Sequence, residues 1–262
     1  MPKIMGIVNV TPDSFYDGGK INSDLELLNL VETHLKHGAD FIDVGGYSSK
    51  PGAENISEEQ ELSRIIPAIE AILQRFPEAI ISIDTFRSKV AGEALSIGAA
   101  LVNDISAFDL DAKMPGIVKK HGAPYIIMHM QGTPQTMQNN PSYTNVTNEI
   151  MRYFSKKISL LQEYGINDII IDPGFGFGKS LEHNFKLLND LEQLSIFDLP
   201  ILCGLSRKSM IWKTLNVSPH EALNGTTALN SIALTKGCNL LRVHDVKEAK
   251  QCVELFTKMR AV

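Results

Sequence analysis

Eight short apolar runs recur along the chain, at residues 4–8, 41–44, 80–83, 101–102, 125–128, 169–171, 201–203 and 240–243. They are rich in Ile, Val and Leu, and most lack polar alternation, as strands buried on both faces do. Between them the apolar spacing turns helical. Residues 25–36 put Leu25, Leu28, Val31 and Leu35 on one stripe, with Glu26, Asn29, Glu32 and Lys36 off it. Residues 58–76 repeat the pattern through Leu62, Ile65, Ile66, Ile69 and Leu73, and further helices are predicted at 88–97, 114–120, 146–164, 181–194, 221–236 and 246–259. Several helices run into glycine before the next strand (Gly38, Gly98, Gly165), a common C-terminal signal. Strand then helix, eight times, with short returns, predicts an α/β fold of the (β/α)8 TIM barrel type. An open, doubly wound sheet stays the alternative, because connectivity does not establish closure. No linker or low-complexity tract interrupts residues 1–262, so a single domain is expected.

Composition narrows the class. The chain has 262 residues, 44% of them hydrophobic, and a formal charge of −5. That length suits one large core. The mild acidity argues against nonspecific nucleic-acid binding but leaves room for a local basic pocket. Three cysteines, Cys203, Cys238 and Cys252, lack CxxC spacing and fit free thiols in a reducing compartment. The first hydrophobic run is too short for a signal peptide, and no stretch approaches a membrane span. A cytoplasmic protein without a membrane partner is expected.

The residues closing the strands are, in order, Asn9, Gly45-Gly46, Asp84, Asn103-Asp104, His129, Asp172, Ser206-Arg207-Lys208, and Arg242 with His244. Singly, each fits a cap or loop hydrogen bond as well as a function. Together they stand where barrels build their active sites. Arg242 and His244 alternate along one strand end, so they project to the same side. Arg207 and Lys208 leave the neighbouring strand at the usual phosphate corner of this fold, so a phosphate or diphosphate is expected there. Asn9 adds an oxygen ligand suited to Mg²⁺. For the basic cluster, the plainer alternative to phosphate binding is a rim salt bridge between Arg242 and Asp245. Asp84, Asn103 and Asp172 are expected on the opposite arc. They suit a flat heterocycle with paired N–H donors, or else a general acid–base pair or metal ligands. The seven histidines show no HxH or HExxH spacing, and His34, His37 and His121 are expected on helix surfaces. Met128 and Met130 flank His129, either to pack on a ring or to fill the core.

One stretch concentrates these features: IIIDPGFGFGKS, residues 169–180. A buried strand ends on Asp172, and a loop follows in which glycine alternates with Phe175 and Phe177. It is not a P-loop, because Pro173 stands where GxxxxGK[ST] needs glycine. An N-terminal helix aspartate before an ordinary glycine turn would look similar.

GIVNVTPDSFYDGGK (6–20), IDVGG with PGA (42–53), ISIDT (81–85), VNDIS (102–106), MHMQGTPQTMQ (128–138), IDPGFGFGK (171–179), LSRKS (205–209), NGTTA (224–228) and RVHDV (242–246) together resemble dihydropteroate synthase, from end to end. The resemblance implies a (β/α)8 transferase of folate synthesis, usually a homodimer. It would join 6-hydroxymethyl-7,8-dihydropterin diphosphate to 4-aminobenzoate and release diphosphate. Residue by residue, it implies Asn9 as the Mg²⁺ ligand and Asp84, Asn103, Asp172 and Lys208 as the pterin pocket, with Met128 on the ring. Arg242 and His244, with Asn9, would bind diphosphate. Phe15, Asp17, Ser49 and Pro51 fall on the two loops that close over the reactants, and Lys208 and Ser209 complete the aminobenzoate pocket. Where the family commonly has G-G-E-S-T-R-P-G, this chain reads G-G-Y-S-S-K-P-G (45–52). Ser49 keeps a hydroxyl, but Lys50 lacks arginine's fork and Tyr47 removes a charge.

A dissociative mechanism fits both the residues and the resemblance, with Asp17, Asp84, Lys208 and Arg242 as the catalytic set. Cations stabilise departing diphosphate while anionic Asp84 and Asp17 favour a cationic methylene on the pterin. Two rivals remain at this point. A methyltetrahydrofolate-dependent methyltransferase shares a related barrel but needs no diphosphate site. A catalytically inactive pterin-binding module would keep the pocket without turnover.

Overall fold

In the computed structural model, residues 1–10, 20–48 and 55–261 are described. The apolar runs form eight strands: β1 Lys3–Asn9, β2 Phe41–Gly45, β3 Ile81–Asp84, β4 Leu101–Asp104, β5 Tyr125–Met128, β6 Ile169–Asp172, β7 Leu202–Cys203 and β8 Leu240–Val243. Around them run α1 Lys20–Lys36, α2 Glu58–Arg75, α3 Ser88–Ser96, α4 Met114–His121, α5 Val146–Glu163, α6 Leu181–Asn189, α7 Ser209–Leu215, α8 Leu223–Thr235 and α9 Val246–Arg260. All strand pairs are parallel, and β1 lies between β2 and β8. An Ile171–Ile201 bridge, with Ile171 N–H on the Pro200 carbonyl at 2.9 Å, joins β6 to the start of β7. The sheet therefore closes, and the fold is the (β/α)8 barrel rather than the open sheet.

Alternation along the strands divides the core in two. Ile4, Val8, Ile42, Val44, Ile81 and Ile83 face the helices. Met5, Leu101, Ile126, Leu202 and Leu240, with Phe41 and Ile170, form a separate plug inside the barrel. Side chains alternate faces with period two, so the residue two places beyond each plug residue also points inward. Those residues are Asp43, Asn103, Met128, Asp172 and Arg242, together with Ile7 and Gly204. The plug thus floors a polar chamber at the carboxyl ends of the strands.

Helix termini follow local chemistry. Ser57 and Ser180 cap α2 and α6, each accepting from the backbone three residues on in a reciprocal capping box. Three expectations need correction. The predicted helix at 181–194 breaks at Asp190, whose carboxylate accepts from the Thr147 hydroxyl at 2.8 Å, and a 3-10 turn Leu191–Phe197 follows. Helix α7 went unread, being one short turn pair, and the helix expected from 221 begins at Leu223 after a turn at Pro219–Glu221. His34 is buried rather than on a helix surface, with Nε2 3.1 Å from the Ile7 carbonyl under β1.

Candidate active site

Strand register sets the rim. Asn9 pairs with Gly45, Gly45 with Asp84 and Asp84 with Asn103, so the ends of β1 to β4 form one continuous row. Met128 pairs with Asp172 across β5 and β6. Below that row, Arg242 reaches from β8 past β1. Its Nε donates to Asp43 Oδ2 and its Nη2 to Asp84 Oδ2, each at 2.6 Å. Asn103 Nδ2 donates to the same Asp43 oxygen at 3.1 Å. Asp43 is fully buried, and among the described residues its Oδ1 has no hydrogen-bond partner. Its register partner Ser82 likewise has an unpaired buried hydroxyl among the described residues.

Two carboxylates on one guanidinium leave the cluster short of positive charge. Burial, with Asp43 opposing the relief that Arg242 gives, pushes the Asp84 carboxyl up to about 7. Burial works against the Arg242 charge, but Asp43 and Asp84 beside it more than restore it, so its pKa lies above the usual arginine value. A cation brought to this mouth would therefore meet a site that favours it.

Across the barrel, the loop after β6 builds the second half. Asp172 Oδ1 accepts from the Gly174 N–H at 2.7 Å, and burial raises its carboxyl against the pull of that bond and of Lys208. Gly174 and Gly176 have φ of 71° and 80°, a region L side chains rarely occupy. A Cβ on Gly174 would strike the His129 carbonyl, and one on Gly176 would stand 3.0 Å from Lys208 Cδ. The loop so bent presents the Phe175 carbonyl to Lys208 Nζ at 2.5 Å and the Phe177 ring below it, 4.3 Å to the centroid. Burial lowers Lys208 to about 8, with Asp172 pulling back toward the charged form and Arg242 pushing further down.

A second buried lysine holds the loop in place. Lys179 Nζ donates to the Gly174, Phe177 and His129 carbonyls at 2.8, 3.0 and 3.3 Å, and lies 3.0 Å from His129 Nδ1. Burial, then the Lys179 charge, keeps His129 far below the ordinary histidine range. It is a neutral acceptor, wedged edge-on against Tyr153.

Of the expected site residues, Arg242 bonds Asp84 directly and meets Asn103 through Asp43, while Asp172 and Lys208 face each other across the β6 loop. Met128 is buried beside Asp172, and Ser209 is half-buried at the start of α7. Asn9 is half-buried at the end of β1, and exposed His244 follows β8 with its N–H on Ser206 Oγ at 3.2 Å. Phe15, Asp17, Ser49 and Pro51 lie outside the described residues. Asp84 and Asn103 do stand across the barrel from β8, on β3 and β4, but they are joined to Arg242 in one network rather than set apart from it. One expectation is overturned. The rim salt bridge to Asp245 is made by Arg207, at 2.9 and 2.7 Å, and so Arg207 is turned away from the chamber. Asp43 and Lys179 were missed as site residues. Asp43 sits in an apolar strand two places from Phe41 and Gly45, and a carboxylate at such an inward position requires a partner.

The donor set fits Mg²⁺ only as a shared ligand. No group of three or more His, Cys, Asp or Glu among the described residues could hold a metal. Asn9 offers one amide oxygen, which suits a hard ion that takes its remaining ligands from substrate phosphates and water.

Comparison with known proteins agrees with this geometry. The profile of the pterin binding enzyme family matches residues 5–244. A dihydropteroate synthase of Escherichia coli (strain K12) is 45% identical over 256 residues, 97% of this chain and 90% of the relative. The structure of Yersinia pestis dihydropteroate synthase in a sulfonamide drug complex superposes with a TM-score of 0.93 at 42% identity, covering 100% of this chain and 95% of that one. The Xanthomonas albilineans enzyme with 4-aminobenzoic acid gives a TM-score of 0.93 at 36% identity, covering 100% and 94%.

Proposed function

The chain belongs to the dihydropteroate synthases, within the pterin binding enzyme family, and from that premise we propose how its own residues divide the work of the reaction. The reaction condenses 6-hydroxymethyl-7,8-dihydropterin diphosphate with 4-aminobenzoate, giving 7,8-dihydropteroate and diphosphate, a step of folate synthesis. The observation that carries the assignment is the interleaving of charge on one rim: Asp84 on Arg242, and Asp172 facing Lys208.

Asp172 and Asn103 take the donor edge of the pterin, and Met128 packs on the ring. Asp172 keeps lone pairs beyond the one used by Gly174, and a carboxylate accepts paired N–H donors well. Arg242 and His244, with Asn9, hold the diphosphate, and Lys208 serves both the pterin and, with Ser209, the aminobenzoate. Phe15, Asp17, Ser49 and Pro51 complete the aminobenzoate side. Mg²⁺ held by Asn9 and the diphosphate neutralises leaving-group charge when bound.

The methylene C–O bond breaks with its electron pair going to diphosphate. The arylamine lone pair forms the new C–N bond, and the amine proton leaves to diphosphate or water. Arg242 and Lys208 stabilise the departing charge, while anionic Asp84, with Asp17, stabilises the cationic methylene between the two bonds. No covalent enzyme nucleophile is needed.

We further propose a homodimer formed through α8 and α9. These adjacent helices expose Ile232, Leu255 and Met259 at 42, 73 and 58%. A cytoplasmic setting fits Cys203, Cys238 and Cys252, all buried free thiols, and no described helix is long and apolar enough to cross a membrane.

The test is direct. Incubation with pterin diphosphate, 4-aminobenzoate and Mg²⁺ should yield diphosphate and dihydropteroate in equal amounts. Diphosphate without dihydropteroate would refute the aminobenzoate half of the assignment.

A further inference from the structure

The rim residues assigned above do not explain why a carboxylate is buried beneath them. We propose that Asp43 is a positioning residue of the transfer reaction. By holding the Arg242 guanidinium and the Asn103 amide on one carboxylate oxygen, it fixes the diphosphate side and the pterin side of the chamber in a single register.

The geometry allows Asp43 little other use. It sits inside β2, two residues above plug residue Phe41 and two below rim residue Gly45, fully buried. Being fully buried, it is closed to a ligand held at the rim. Yet both groups it binds are rim residues from other strands, Arg242 from β8 at 2.6 Å and Asn103 from β4 at 3.1 Å. Arginine and asparagine side chains have several rotors each, and bonding both to one buried atom removes most of that freedom before any ligand arrives. The alternative, that Asp43 merely balances a buried charge, fits poorly. Asp84 already bonds the same guanidinium at 2.6 Å, so Asp43 makes a second carboxylate for one cation. A second carboxylate with an unpaired buried oxygen costs stability, as buried charge without full pairing does. Its presence under an active site is explained by orientation.

Asp43 also acts on Asp84 at a distance. The charged groups facing Asp84 are Arg242 from β8, Asp43 from β2, Glu61 from α2, Asp104 from β4, and Lys208 ahead of α7. Removing the Asp43 charge removes one of the three like charges that hold Asp84 toward its neutral form.

Two variants separate orientation from fold. Asp43→Asn keeps an acceptor where Oδ2 stands but no charge, while Asp43→Ala removes both. A charge-assisted bond is roughly twice as strong as a neutral one, so kcat should fall by about tenfold for Asp43→Asn and further for Asp43→Ala. KM for 4-aminobenzoate should stay near wild type. The acid limb of kcat/KM should move to lower pH in Asp43→Asn, because Asp84 ionises more readily beside a neutral neighbour. Thermal unfolding of Asp43→Asn should be unchanged or raised, since the cluster loses its surplus negative charge. Wild-type kcat and an unmoved acid limb in a folded Asp43→Asn would overturn the proposal. So would an insoluble Asp43→Asn, which would make the carboxylate an element of folding. The inference rests on the proposed roles, and the wild-type assay separates the two. A wild type that forms no dihydropteroate refutes those roles and this inference with them, whereas an active wild type beside an indistinguishable Asp43→Asn refutes this inference alone.

Discussion

Replacing Asp172 by asparagine should weaken pterin binding and make the defect pH-dependent. Asp172 is 6% exposed at the end of β6, and the change is isosteric, so the barrel should survive it. In the wild type one oxygen accepts from Gly174 N–H at 2.7 Å, leaving the other to face the chamber. Asparagine has one acceptor. If its oxygen keeps Gly174, its NH₂ opposes the donor edge of the pterin; if it turns, the Gly174 N–H loses its partner. Either leaves a buried donor unsatisfied, at about 1–3 kcal/mol. That corresponds to roughly 5- to 140-fold weaker binding. A second effect adds to it. Asp172 holds Lys208 toward its charged form, and Lys208 already titrates near 8. Without Asp172 the lysine pKa falls further, so the charged fraction lost on substitution grows as pH rises from 6.5 toward 8. Calorimetry with a plain pterin and with pterin diphosphate, at both pH values, reads the two parts. Because Lys208 serves the pterin itself, both ligands should show the constant loss at the lower pH and the additional loss at the higher one. Wild-type affinity for both ligands would show that Asp172 serves the β6 loop alone. An equal loss at the two pH values would show that Lys208 does not depend on it.

Further outcomes follow from the same geometry. Asp84 must be anionic to favour the cationic methylene; with its pKa raised to about 7, kcat/KM should fall as pH drops below that value, and Asp84→Asn should abolish the limb along with most turnover, as a pH–rate series will tell. Gly176→Ala places a Cβ 3.0 Å from Lys208 Cδ at a positive φ, which costs about 1–2 kcal/mol in strain, so both the melting temperature and pterin diphosphate affinity should drop. Lys50 lies outside the described residues; if it replaces an arginine fork on the aminobenzoate side, Lys50→Arg should tighten 4-aminobenzoate more than pterin, with calorimetry in the presence of pterin and Mg²⁺-diphosphate as the check. Placing a charge on the exposed α8–α9 face with Leu255→Glu should shift the protein to monomer in sedimentation if that face is the dimer interface.

The parts of this molecule that were legible in its sequence are those set by local pattern. Most strands are runs of buried aliphatics, and the longer helices are stripes at 3.6 spacing, so the order of these elements could be read within a few residues, whereas the short α7 could not. The strand ends were legible for the same reason, since a polar residue that terminates an apolar run is visible without knowing the fold. What could not be read depends on reach across the barrel. Arg242 binds partners 199 and 158 residues away, on strands that are not its neighbours in the sheet. Adjacency alone grouped it with Lys208 and Arg207, because β7 and β8 are consecutive and their ends are basic. The barrel separates these three. Arg207, with φ of 54°, turns outward onto Asp245; Arg242 turns inward onto Asp43; and Lys208 is held over the β6 loop. Closure follows the same logic, since the Ile171–Ile201 bridge depends on the accumulated register of all eight strands rather than on any one segment. Asp43 lay between these two kinds of information. Its inward direction follows from Phe41 and Gly45 by the period of two, which the sequence carries, but its partners follow only from closure. A carboxylate at a plug-facing strand position is thus a sequence signal for a cross-barrel cation, and in this chain the cation is the arginine assigned to the leaving group.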